Sequence, residues 1–157
     1  RMLKKDYPDT CLNLVGDGTE IIAAKKKVEE SNLSKWVIFH GRIDDRVQLM
    51  SMINESHVCL NISDKNVFRD SASPIKIFEY SSLGKIVVST DLDEIKAIKF
   101  HNVILLSNLQ PKGIKKAVVE SFKLNINNTK IQKKVLSDYS WDKLSLCILD
   151  NIRNLKV

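Results

Sequence analysis

Glycine and proline are scarce, 5 and 3 among 157 residues, which excludes collagen-like and low-complexity scaffolds. No apolar run approaches the ~20 residues needed to cross a bilayer, because charged side chains interrupt every hydrophobic stretch. The amino-terminal stretch Arg1 to Pro8 has basic residues but no apolar core behind them, so no signal peptide is expected and the compartment reads as cytoplasmic. Cysteine and histidine are equally sparse. Cys11, Cys59 and Cys147 are far apart, odd in number and set among apolar neighbours, which marks them as small buried hydrophobes, not a disulfide framework. His40, His57 and His101 have no ligand spacing, so no structural metal is expected. Aromatic residues make up 6% and do not alternate with the lysines as stacking platforms would, so no nucleic-acid partner is expected.

What is present describes one compact globular domain, 43% hydrophobic and 28% charged. The formal net charge of +6 is concentrated. Residues 110 to 134 contain seven lysines against Glu120 alone. A basic surface of this kind suits an anionic membrane or a phosphorylated ligand, and it also suits a solvated helix face. Ile114, Val118 and Phe122 recur every four residues as a core stripe, with the lysines mostly off it.

Five short runs are apolar on nearly all consecutive positions, Asn13 and Asn61 excepted: Cys11 to Val15, Trp36 to Phe39, Val58 to Ile62, Ile86 to Val88 and Val103 to Leu106. Strands buried on both faces have this pattern, which predicts a parallel sheet covered by helices. Helical patterns fill the intervals. Thr19 is placed to cap the first, Asp44 or Asp45 the second, and Ser73 the third, with Pro74 at its first turn. Three helices follow the last strand, and the final one carries Trp141, Leu144, Ile148, Ile152 and Leu155 on one side, a face expected to dock on the domain. The β-α-β-α order predicts a Rossmann-like, doubly wound α/β fold with a ligand crevice at the carboxyl ends of the strands.

Three loops leave those ends with usable chemistry. Gly16 and Gly18 flank Asp17 between a strand and a helix, where bare backbone can approach an anion or simply turn. Arg42 follows the second strand, free to stack on a base, pair with a phosphate or stand in solvent. The segment from Arg69 to Lys85 is the most informative. With Ser73 at zero and about 100° per residue, Ile75, Ile77, Phe78, Ser81 and Ser82 fall on a core face, while Lys76, Glu79 and Tyr80 fall opposite. The helix start thus gathers amides, a hydroxyl and Lys76, a set that suits phosphate, and Glu79 one turn on can accept from a diol. Alone, Lys76 and Glu79 would equally read as a solvent-facing i,i+3 ion pair.

Read in order, Leu14 to Gly18, Val37 to Arg42, Ser73 to Tyr80, Leu83 to Lys85 and Val87 to Thr90 resemble successive blocks of the C-terminal domain of GT-B glycosyltransferases of family 4, the group 1 retaining enzymes. The resemblance extends to Tyr139, Ser140 and Trp141 before the closing helix. It implies a domain that binds a UDP- or GDP-type sugar donor, with donor contacts at Ser73, Pro74, Ile75, Lys76 and Glu79. It also implies a separate acceptor domain and no bound metal. Glu79 matches the second glutamate of the family's E-x7-E motif, the one that holds the ribose. The first glutamate is replaced by Ser71, and Asp70 beside it could partly substitute. The family's phosphate-binding Arg and Lys would precede Arg1, so the first strand and its loop are expected to lie outside the chain. A GT-B nucleotide-sugar epimerase and a non-catalytic nucleotide-binding or interaction module share the same plan. Because many members act on lipid-linked acceptors, Lys112, Lys115, Lys116 and Lys123 are candidate membrane contacts.

Overall fold

A computed structural model describes residues 1–66, 73–106 and 108–154. Each of the five apolar runs overlaps a strand. After a 3-10 turn at Leu3–Lys5, the chain forms β1 (Leu12–Val15), α1 (Ile21–Glu30), β2 (Val37–Gly41) and α2 (Arg46–Glu55). There follow β3 (Val58–Asn61), α3 (Ile75–Ser82), β4 (Ile86–Thr90), α4 (Asp93–Ile98) and β5 (Val103–Leu106). Three helices close it: α5 (Pro111–Ser121), α6 (Asn128–Tyr139) and α7 (Trp141–Asn154). Every strand pairing among the described residues is parallel, in two sheets of order β1-β2 and β3-β4-β5. By internal contacts the chain divides into two compact units, Arg1–Met52 and Ile53–Val157.

In the first unit, Leu12, Asn13 and Leu14 pair with Val37, Ile38 and Phe39, and the register slips before Val15 meets Gly41. His40 Nε2 lies 2.8 Å from Asn13 Oδ1 across the pair. Leu12, Leu14, Val15 and Ile38 are exposed, contrary to the two-sided burial expected of their runs. A two-stranded sheet is too narrow to bury both faces. Thr19 does not cap α1; Glu20 holds the N-cap position without a side-chain bond. Asp45 does open α2, its Oδ1 accepting from the N–H groups of Val47 at 2.8 Å and Gln48 at 3.3 Å.

The second unit is built around β4, whose Val87, Val88, Ser89 and Thr90 are all buried between β3 and β5. Ile77, Ile95, Ala117, Val118, Ile131 and Val135 supply the helical side of the core. Ile77 and Ser81 of α3 are completely buried, and the Ser81 Oγ accepts from the amide of fully buried Asn102 at 2.9 Å. The same Asn102 Nδ2 donates to the Lys85 carbonyl at 2.7 Å, so one side chain ties α3 to the start of β4. Helix α3 ends in a paired closure at Gly84, with φ +68°: Gly84 N–H donates to Ser81 O at 2.9 Å and Lys85 N–H to Tyr80 O at 3.0 Å. Phe78 packs between Phe100 and Tyr139, with ring centroids at 5.7 and 5.0 Å.

Several sequence expectations need correction here. Pro74, not Ser73, occupies the N-cap of α3, and Ile75 is its first residue. The face of α3 that meets the sheet is centred on Ile77 and Ser81, about 60° round the wheel from the centre of the expected core face. Ile75 falls outside that face and is 70% exposed, while Tyr80, expected in solvent, flanks it and is half-buried. Burial pushes the Tyr80 phenol up to about 12, with the nearby Cys59 and Glu79 charges adding to the rise. Phe122 lies just past the end of α5 and is exposed, so the core stripe there is Ala117, Val118 and Ser121. Cys59 is buried, whereas Cys11 and Cys147 are exposed. Helix α7 has no buried residue among those described: Trp141, Leu144, Ile148 and Ile152 are exposed, and the expected docking of that face is not seen. Its neighbour in the second unit is α6, which follows from the single residue, Ser140, between them. Leu155 lies outside the described residues.

Candidate functional site

Parallel strands deliver their loops to one edge, where the sequence predicted a crevice. In the second unit that edge holds a cavity of about 220 Å³ lined by Leu60, Asn61, Ile62, Ser63, Pro74, Lys76 and Leu92. The end of β3 supplies the first four, the start of α3 the next two, and the turn after β4 the last. A larger hollow of about 400 Å³, bordered by Ser56, His57, Lys85 and Asn125, opens at the opposite, amino ends of β3 and β4.

Pro74 and Lys76 therefore meet at the cavity as expected. Pro74 at the N-cap offers no capping side chain, so among the described residues no side chain competes with an anion for the first-turn amides of α3. Lys76 is exposed, and among the described residues no carboxylate stands within ion-pair distance of it, so the i,i+3 pair with Glu79 does not form. Glu79 sits one turn further along, half-buried, on the side of α3 opposite Ile77 and Ser81. Ser73 is exposed and precedes the helix, and Ile75 begins it. Asp70 and Ser71 lie outside the described residues.

The remaining candidates belong to the first unit. Gly16 and Gly18 follow β1 with φ of +131° and +146°, and a Cβ at either would meet nothing within 4 Å. Backbone conformation, not crowding, is what asks for glycine there. Arg42, after β2, is engaged by Asp44 at 2.7 Å, an exposed pair of the kind worth little in stability. Gly16, Gly18 and Arg42 share the carboxyl edge of the β1-β2 sheet.

Sequence reasoning missed Asn61, Ser63, Thr90 and Leu92. Asn61 Nδ2 donates to the buried Ser89 Oγ at 3.0 Å. Thr90 Oγ1 accepts from the Ser63 N–H at 2.9 Å and donates to the Ser63 carbonyl at 2.8 Å. The signal was present as polar residues closing two apolar runs, Asn61 and Ser63 after Val58 to Leu60, Ser89 and Thr90 after Ile86 to Val88. Just beyond, Lys96 bridges Asp91 at 2.9 Å and Asp93 at 3.1 Å, and Lys65 stands 3.7 Å from Asp93. The hydrogen bond from Lys96 holds the Asp93 carboxyl below its ordinary value, and the bond to Asp91 holds the Lys96 ammonium above its own. No cluster of three or more His, Cys, Asp or Glu able to hold a metal exists among the described residues.

Parallel sheets flanked by helices, with amide-rich helix starts at the strand ends, define a Rossmann-like α/β protein. The chain belongs to the family described as glycosyl transferases group 1, whose model matches residues 1–123. It is similar in fold to Anabaena HepE solved in complex with UDP, at 18% identity and a TM-score of 0.79, covering 98% of this chain and 43% of that one. HepE in complex with UDP and glucose matches at 18% identity and a TM-score of 0.68, over 92% of this chain and 41% of that one. The GtfA/B complex matches at 16% identity and 0.72, over 97% of this chain and 31% of that one. The chain thus spans less than half the length of the solved structures it resembles, and the likeness bears out the fold expected of a GT-B domain. No curated protein matches the sequence significantly.

Proposed function

We propose that residues 1 to 157 form a single donor-binding domain of a retaining hexosyltransferase, which moves a sugar from a UDP- or GDP-type donor to a glycan or lipid-linked acceptor held by a separate domain. The cavity at the end of β3 carries the reading, because Pro74 and Lys76 bring the start of α3 and an ammonium group to one mouth. Membership in the glycosyltransferase family and the likeness to a UDP-bound protein support it.

In this reading the diphosphate lies against the first turn of α3. As the bond to the sugar breaks, negative charge grows on the leaving phosphate, and the helix amides and Lys76 stabilise it in place without a bound metal. Glu79, one turn along, accepts hydrogen bonds from the ribose hydroxyls. Ser73, Ile75, Ser71 and Asp70 contribute contacts near the phosphates and sugar, and Gly16, Gly18 and Arg42 are further donor-binding residues. The whole protein works at the cytoplasmic face of a membrane in cell-surface polysaccharide synthesis. Holding one reactant does not orient two, so the chain alone gives no transfer. Incubation with UDP-glucose and a glycan acceptor should release no more UDP than a buffer control, while calorimetry should register UDP binding. Turnover by the chain alone would overturn the division of labour, and absence of UDP and GDP binding would overturn the donor role.

A further inference from the structure

Strand β4 ends in two buried hydroxyls, Ser89 and Thr90, at the centre of a three-stranded sheet. A valine would satisfy the strand at either place without the cost of desolvating a hydroxyl. Each hydroxyl is directed to the rim of the cavity. The β3-β4 register closes at Asn61 opposite Ser89, while Thr90 continues to pair on its other side with Leu106. Where the β3 ladder stops, the Thr90 side chain takes over. Its single proton goes to the Ser63 carbonyl and its lone pair accepts the Ser63 N–H, so both backbone groups of one cavity-lining residue are held by one atom. Ser89 reaches a second lining residue differently, its Oγ accepting from the side-chain Nδ2 of Asn61 at 3.0 Å. The rim facing Pro74 and Lys76 is thereby tied to the buried strand.

We propose that Thr90 is a positioning residue of this cavity, its hydroxyl clamping the Ser63 backbone so that the rim facing Lys76 is set before a nucleotide diphosphate arrives. This rests on the donor-site reading above. A rim free to move must be ordered on binding, and that cost appears as lost affinity.

The test is calorimetric titration of UDP into the 157-residue chain and its Thr90→Val, Thr90→Ser and Lys76→Ala variants, well below each variant's thermal midpoint. Thr90→Val keeps the shape and loses both hydrogen bonds; it should weaken UDP binding about tenfold, the scale of one or two neutral hydrogen bonds. Thr90→Ser keeps the hydroxyl and should bind within about threefold of the parent, a loss well under one such bond. A merely structural role would lower the thermal midpoint and leave low-temperature affinity unchanged, which would overturn the proposal, as would equal losses for Ser and Val. Should Thr90→Val not fold, Thr90→Ala takes its place: weaker binding than Thr90→Ser supports the clamp, and equal binding overturns it. Lys76→Ala separates the two claims. Weakening by Lys76→Ala with none by Thr90→Val removes the clamp alone, whereas a parent that binds no UDP removes the donor site and the clamp with it.

Discussion

A methyl group added to Gly84 would place its carbon 2.7 Å from the Cβ of Asn128, well inside contact distance. The glycine also holds φ +68°, where an L side chain costs about 1–2 kcal/mol before any clash. Gly84→Ala should therefore lower stability by more than about 1 kcal/mol and loosen the join between α3 and α6. Urea unfolding checks this, and a parental midpoint would contradict the closure drawn at the end of α3.

Ile77 and Ile75 lie two positions apart on α3 with opposite environments, fully buried and 70% exposed. Ile77→Ala should cost about 2–5 kcal/mol and Ile75→Ala less than about 0.5 kcal/mol. The same unfolding measurement on both variants tests the helix orientation, and comparable losses would contradict it.

Cys59 is buried and its thiol is pushed up to about 11, while Cys11 and Cys147 are exposed. A thiol reagent at neutral pH should label two cysteines rapidly and the third only at the rate of unfolding. Three equally fast thiols would contradict the placement of β3 beneath α3.

Cys59 and Tyr80 bind their protons more tightly folded than unfolded, at about 11 and 12 against 9.0 and 10.0. That contribution to stability is complete below the unfolded values and is lost as pH rises through the folded ones. Stability should thus fall between about pH 9 and 12, and Tyr80→Phe should flatten the upper part of that fall. A fall of equal steepness in Tyr80→Phe would show that the phenol is not the group responsible.

Where several independent cues agreed, the fold was legible in the sequence. Val58 to Leu60 and Ile86 to Val88 are continuous apolar runs because both faces of that sheet are covered, and β3 and β4 formed there. Asp44 and Asp45 were both legible as caps, and the start of α2 at Arg46 selects Asp45. The errors arose where tertiary contacts decide. The wheel of α3 gave relative angles but not which residue faces the sheet, so Ile75 and Tyr80 exchanged places. Apolar spacing in α7 declared an amphipathic helix and not what it packs on. The position of Lys76 at the start of α3 was legible from the proline two residues before it. The Thr90 clamp was not, since a strand-end hydroxyl acquires meaning only when the register sets it beside Ser63.

The basic stretch should give weak, salt-sensitive adsorption to anionic vesicles. Lys116 stands 3.9 Å from Glu120, and each lysine that reaches an anionic surface would contribute about 1 kcal/mol. Phe122 is exposed beside Lys123 and would add an apolar contact to such adsorption. Sedimentation with anionic and neutral vesicles at low and physiological salt checks this; equal binding to both kinds would rule out electrostatics, and none at low salt would leave the lysines as a solvated face.

Titration of UDP into the parent chain and its Glu79→Gln variant tests the donor-site reading most directly. The parent should bind, and Glu79→Gln should lose about 1.5–3 kcal/mol, the range for a hydrogen bond to a charged group. A parent that ignores UDP and GDP alike, or a Glu79→Gln variant that binds as tightly as the parent while Lys76→Ala does not, would contradict the placing of the ribose on α3.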